Sequence, residues 1–317
     1  MDVNSSGCQH GRVGPLLCLL SAAGFGAMAI FGKLAYDAGV ELGDLLLVRF
    51  ALAAALLLLV AWLTGALRGL ARGSVLAALG MGAIGYATQA GLFFAALERM
   101  DASLLALVLY VYPALVLVAA VALGRERATG RRVAALVVAS AGTVLVLAGA
   151  AGGTLDPVGT AMGFGAALAY TAYILTGDRV VAGVPPVALS ALVCTGATGT
   201  FAIAALVTGG PELGFGADGW AWLGAIALVS TVGAVLAFFA GLARVGPSAA
   251  SILSTLEPVV TVGLAAAAFG EALSAVQLAG GALVLAAVVV MQWPAIGSAR
   301  VVPAAVQVAP AHVNGGH

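Results

Sequence analysis

The sequence predicts an all-α integral membrane protein whose ten transmembrane helices form two inverted five-helix repeats. Three observations lead there. Of 317 residues 62% are hydrophobic and only 8% charged, against about 25% charged in a soluble domain. Apolar runs of about 20 residues, enough to cross the hydrocarbon core, recur along nearly the whole chain. The second half of the chain also matches the first at a nearly fixed offset.

The runs cover residues 15 to 36, 45 to 64, 75 to 97, 102 to 123, 133 to 150, 158 to 176, 187 to 208, 219 to 242, 248 to 269 and 274 to 293, here numbered spans 1 to 10. Each is read as a helix, because a backbone in lipid must satisfy its own hydrogen bonds and the short alternating segments of a membrane barrel are absent. Span 1 follows Arg12 and resembles a secretory leader, but it exceeds a leader's apolar core of about 7 to 15 residues. Large leucines before Cys18 argue against a lipoprotein anchor there, and Cys8, Cys18 and Cys194 have no framework spacing. Span 2 carries Arg49, span 3 Tyr86 and Gln89, span 4 Tyr110, Tyr112 and Pro113, and span 6 Tyr170 and Tyr173. Spans 5 and 10 close the repeats and hold no polar mid-helix residue beyond Ser140 and Thr143; span 9 carries Glu257 and Pro258. The expected organisation is a cytoplasmic N-terminal tail at 1–14, a first repeat at 15–150, a second at 158–293 and a disordered cytoplasmic tail at 294–317.

Charge sets the expected orientation. With the N-terminus in the cytoplasm, the inner segments hold ten arginines (Arg12, Arg68, Arg72, Arg125, Arg127, Arg131, Arg132, Arg179, Arg244 and Arg300), the outer ones only Arg99, and Lys33 and Arg49 fall within helices. That bias predicts a multi-pass protein of the inner membrane with both termini cytoplasmic.

A shift of 145 residues aligns Phe93 and Phe94 with Phe238 and Phe239, Arg99 with Arg244, Ser103 with Ser248, Pro113 with Pro258 and Glu126 with Glu271. Nearer the N-terminus the shift is 139, and GFGA at 24 to 27 meets GFGA at 163 to 166. Five helices per unit is an odd number, so the copies enter the membrane from opposite faces.

These residues resemble the EamA-type members of the drug/metabolite transporter superfamily over residues 15 to 293. The likeness rests on the five-plus-five pattern, the prolines of spans 4 and 9, and the Gly-Glu pair that closes each, in YPALVLVAAVALGRER at 112 to 127 and EPVVTVGLAAAAFGEALS at 257 to 274. The first copy departs from the pattern, with Arg125 between Gly124 and Glu126. The resemblance implies a secondary transporter with a central cavity between the halves, commonly an exporter of small metabolites, amino acids or amphiphilic drugs by alternating access, and not an enzyme. The alternative is an intramembrane enzyme acting on lipid or isoprenoid substrates. It would need paired acids, a metal motif or a nucleophile-base pair, whereas the chain offers isolated acids. FGKLA around Lys33 lacks the glycine spacing and hydroxyl of a phosphate-binding loop, and His10, His312 and His317 all lie in the tails. No cofactor and no metal are expected.

Glu257 stands apart from the other charges. Counted from Pro247 it lies about 15 Å deep, near the middle of a core about 30 Å thick. A charge there costs about 2.5–3.5 kcal/mol on insertion scales, so the side chain should face the bundle interior or water. Pro258 should free the carbonyl of Ser254 and open a polar notch beside it, with Tyr112 and Pro113 as the matching pair in the first repeat. A protonated Glu257 that bridges two helices is the structural alternative. Tyr86, Gln89, Tyr110, Tyr112, Tyr170 and Tyr173 sit mid-helix, away from interfacial belts, and should face a cavity or a neighbouring helix. Arg49, near the outer end of its run, is within snorkelling reach of the interface. The candidate substrate-binding or coupling residues are therefore Glu257, Tyr112, Arg49, Tyr86, Gln89, Tyr110, Tyr170 and Tyr173, with helix breaks at Pro113 and Pro258. The expected partners are a small-molecule substrate, the lipid bilayer and a proton. A homodimer is compatible with the chain, and no nucleic acid is expected.

Overall fold

A backbone with no water to bond coils into helices, and the chain is helical along every span. The structure, a computed structural model, describes residues 5–97, 99, 102–148, 156–269 and 274–292. The expected tail at 294–317, and Glu98, Asp101, Glu271 and Arg300, lie outside these. Span 1 is α1 (Ser5–Asp37), which begins well before residue 15, and span 2 is α2 (Leu42–Leu63). Span 3 comprises α3 (Arg72–Gly80), a π-helical turn (Met81–Tyr86) and α4 (Ala87–Leu97). Span 4 is split into α5 (Ala102–Leu109) and α6 (Tyr112–Ala122), and span 5 is α7 (Gly130–Ala148). In the second half, span 6 is α8 (Pro157–Val180) and span 7 is α9 (Pro186–Val207). Span 8 comprises α10 (Ala217–Ala225), a second π-helical turn (Ile226–Gly233) and α11 (Ala234–Val245). Span 9 is split into α12 (Pro247–Leu253) and α13 (Leu256–Phe269), and span 10 is α14 (Ala275–Gln292).

Helix starts follow ordinary chemistry. Proline, whose missing N–H has no intrahelical partner in the first turn, opens α6, α8, α9 and α12. Asp156 caps α8 by accepting the Gly159 N–H at 2.6 Å. Among the described residues, eight stretches are long and apolar enough to cross a membrane by themselves. The two shorter ones are span 4, divided at Tyr110–Val111, and span 10, which ends at the limit of the described residues. Large apolar side chains such as Ile84, Leu206 and Val207 point outward, as lipid permits.

The packing carries the inverted symmetry. Span 2 lies along span 7, span 5 along span 10, and span 4 along span 9, while span 1 packs on span 8 as span 6 packs on span 3. Exchanging the two halves returns the same set of neighbours. Both π-helical turns begin 145 residues apart, at Met81 and Ile226, the same offset that aligns the prolines. Spans 5 and 10 meet glycine to glycine. A Cβ on Gly142 would lie 2.7 Å from the Gly280 carbonyl oxygen, and one on Gly280 equally close to that of Gly142. Gly142→Leu should therefore force these helices apart and lower stability by about 1–3 kcal/mol, the usual cost of overpacking. Thermal unfolding in detergent measures this. An unchanged melting temperature would mean that the seam does not hold the bundle.

Candidate functional site

Two breaks in regular helix face each other across the repeat axis. In span 4 the helix stops at Leu109, turns through Tyr110 and Val111, and restarts at Tyr112 with Pro113 in its first turn. In span 9 it stops at Leu253, turns through Ser254 and Thr255, and restarts at Leu256 with Glu257 and Pro258 in its first turn. The Ser254 carbonyl is not left open as expected. The Glu257 N–H donates to it at 3.0 Å, the shorter i+3 bond closing the turn in place of the one Pro258 cannot make.

All eight side chains singled out in the sequence line one cavity of about 100 Å³ between these breaks. That is room for several waters but less than the roughly 300–1,000 Å³ of a typical ligand pocket, so a solute of any size requires the walls to part. Tyrosines form one side. Ring centroids lie 4.6 Å apart for Tyr112 and Tyr170, 5.8 Å for Tyr110 and Tyr112, 6.2 Å for Tyr170 and Tyr173, and 5.5 Å for Tyr86 and Tyr173. The π-helical turn of span 3 ends on Tyr86, and Gln89 follows one turn later on α4. The Tyr112 hydroxyl is fully buried beside Ser254 and makes no hydrogen bond of ordinary geometry.

Arg49 departs from the sequence expectation. Because α2 begins at Leu42, Arg49 lies about two turns inside the helix. Rather than snorkelling, it turns inward and is only 2% exposed. Its Nη1 donates to Met28 Sδ at 2.8 Å and its Nη2 to the Tyr86 hydroxyl at 3.2 Å, while the guanidinium carbon stands 4.5 Å from the Phe50 ring centroid. Its Nε is buried without a partner. Lys33, in contrast, is exposed near the end of α1.

The Glu257 carboxyl faces the Tyr110 hydroxyl, and the turn that carries it is held from span 1. The Thr261 hydroxyl donates to the carbonyls of Gly26, at 3.0 Å, and of Glu257, at 3.1 Å. A Cβ on Gly26 would come within 2.8 Å of the Glu257 carbonyl oxygen, so only glycine lets α1 pass this close. Sequence reasoning missed Met28, Phe93 and Phe238 as lining residues. Phe93 and Phe238 are partners at the 145-residue offset, so the repeat held the clue; Met28 offered none.

The two ends of the cavity differ. At the arginine-rich end α6 packs on α12 and α11 on α1, closing the bundle. Arg132 Nη1 and Glu126 Oε2 form an ion pair there at 3.0 Å, Arg125 Nη1 donates to the Leu175 carbonyl, and a Cβ on Gly246, at φ +82°, would lie 2.6 Å from Glu126 Oε1. At the opposite end the described parts of α4 and α5 pack on α8, and α13 packs on α1, and among the described residues α5 and α13 share no contact as extensive as that of α6 with α12. Among the described residues the cavity is thus packed more tightly at the arginine-rich end than at the other.

The sequence model of the EamA-like transporter family matches residues 12–148 and again 157–293. The chain belongs to the EamA-like transporter family. Two family units in tandem are what the duplicated breaks and π-helical turns describe in coordinates, within the drug/metabolite transporter superfamily. A solved structure described as "Crystal structure of protein" shares the fold of this EamA-like chain with a TM-score of 0.76, at 21% identity, over 87% of this chain and 95% of its own. No curated protein matches the chain.

Proposed function

We propose that this EamA-like protein is a secondary transporter of the inner membrane that exports small metabolites, amino acids or amphiphilic drugs by alternating access. The transport site is the cavity between the two helix breaks, and one observation carries the reading: polar groups from both repeats converge at mid-span on a cavity whose described walls pack more tightly at one end than at the other. Broken helices at the repeat interface are where inverted-repeat carriers bind solutes. Under exchange of the halves, the contact between α6 and α12 becomes one between α5 and α13. The opposite state follows from the fold itself, by packing α5 on α13 and releasing α6 from α12. The positive-inside rule puts the closed, arginine-rich end in the cytoplasm, so this state faces outward. No observation favours the enzyme reading.

Thiol labelling tests both orientation and cavity. In a chain freed of its own cysteines, Leu109→Cys and Phe238→Cys should react with a membrane-impermeant maleimide from the outside, whereas Val284→Cys in span 10 should stay protected. Reporter fusions after Arg72, Arg132 and Arg179 should read cytoplasmic, and fusions near Glu41, Asp156 and Glu212 external. Equal protection of all three cysteines from both sides would remove the cavity, and an external reporter at Arg132 would reverse the orientation.

A further inference from the structure

We infer that Arg49 is an anion-binding residue, and that the solute this cavity takes is a carboxylate on an apolar, ring-sized body. The inference rests on the transporter reading above and adds a substrate class to it. A guanidinium has five N–H donors and keeps its charge in a protein. Here it is 2% exposed, and among the described residues no carboxylate lies within ion-pair distance of it. Its electrostatic neighbours are the neutral groups of Tyr36, Tyr86 and Cys194. One donor is given to a thioether sulfur, a weak acceptor, one to a phenol, and Nε to nothing.

A buried charge without a counter-ion is costly, and proteins pair such groups or bind something that does. The missing partner has a shape. Nε and the uncommitted N–H groups of the two terminal nitrogens suit the fork-to-fork geometry of a carboxylate, which would displace Met28 Sδ as acceptor. Apart from Gln89 and Glu257 the rest of the lining is rings and apolar side chains, with Tyr86, Phe93, Tyr173 and Phe238 available to the body of the solute. Glu257 lines the same cavity but makes no ion pair with Arg49, so the guanidinium is not already held by a carboxylate.

Three probes of one size test this by equilibrium binding to the purified full chain in nanodiscs: phenylacetate, phenylacetamide and phenethylamine. Phenylacetate should bind at least about tenfold more tightly than the amide, since one charged hydrogen bond is worth that much or more. Arg49→Gln should abolish the preference, bringing acid and amide to the same affinity, and Arg49→Lys, which keeps the charge but not the fork, should keep only part of it. Equal binding of acid and amide, tighter binding of the amine, no binding of phenylacetate, or a preference that survives in Arg49→Gln each overturns the proposal. The comparison on the unaltered chain holds even where a variant fails to fold. Counterflow of labelled phenylacetate in proteoliposomes then separates the two readings. Selective binding without counterflow leaves the anion site standing and sinks the transporter reading, whereas counterflow of other solutes without acid preference does the reverse.

Discussion

Glu257→Gln is expected to abolish transport driven by a pH gradient while sparing solute exchange between loaded vesicles. The variant keeps the shape of the side chain and removes its exchangeable proton. Glu257 sits in the first turn of α13 and lines the cavity. The titratable groups around it are Tyr110, Tyr112, Tyr170 and Tyr86, which ordinarily hold their protons at neutral pH, and Arg49 also lines the cavity but does not release one. Among the described lining residues, Glu257 is thus the group whose proton a coupled cycle would use. The measurement is uptake into proteoliposomes with and without an imposed gradient, from pH 5 to 8. Should binding fall together with transport, by about 1.5–3 kcal/mol, the carboxylate holds a cationic group of the solute instead. A variant that transports like the parent and merely unfolds sooner makes Glu257 structural.

Glu126→Ala should cost about 2–4 kcal/mol, the loss seen when one member of a largely buried, hydrogen-bonded ion pair is removed. Side-chain exposure is 9% for Glu126 and 18% for Arg132, so the stranded guanidinium regains little water. The same change loosens the closed end, because Glu126 also fills the space beside Gly246 at the start of span 9. Two readouts are expected to move together: a lower melting temperature, and faster labelling of Phe238→Cys from the cytoplasmic side. Glu126→Ala combined with Arg132→Ala should recover part of the stability but not the seal. If Glu126→Ala melts like the parent, the pair is a surface ornament and the closed end is held by apolar packing alone.

The fold was legible because a bilayer leaves few choices. Run length gave the spans, and matched prolines gave the duplication before any packing was visible. The cavity was legible for a related reason: Tyr110, Tyr112, Tyr170, Tyr173 and Gln89 are polar at depths where lipid would penalise them, so each had to turn inward. Arg49 is legible as a candidate, but its depth is not. The apolar run begins at residue 45, but the helix takes in Leu42, Gly43 and Asp44, with Asp44 accepting the Glu212 N–H at 3.2 Å, and this carries Arg49 a turn deeper. The π-helical turns were not legible, since MGAIGY and IALVSTVG have the composition of any apolar helix. Nor was the open Ser254 carbonyl a safe expectation, because a break in a helix lets the next N–H close a tighter turn.

A π-helical turn holds one residue more than its flanks need to stay in phase. Elsewhere in the bundle the loss of one residue would swing everything beyond it by about 100° and carry lipid-facing side chains into the packing. Within Met81–Tyr86 or Ile226–Gly233 the same loss takes up the surplus and leaves an ordinary helix with both ends in register. Spans 3 and 8 are therefore where this chain is elastic to editing. A shortened span 3 would still insert, find its neighbours and hold α4 in place, so that a lost codon is tolerated there and nowhere along an ordinary helix of the bundle.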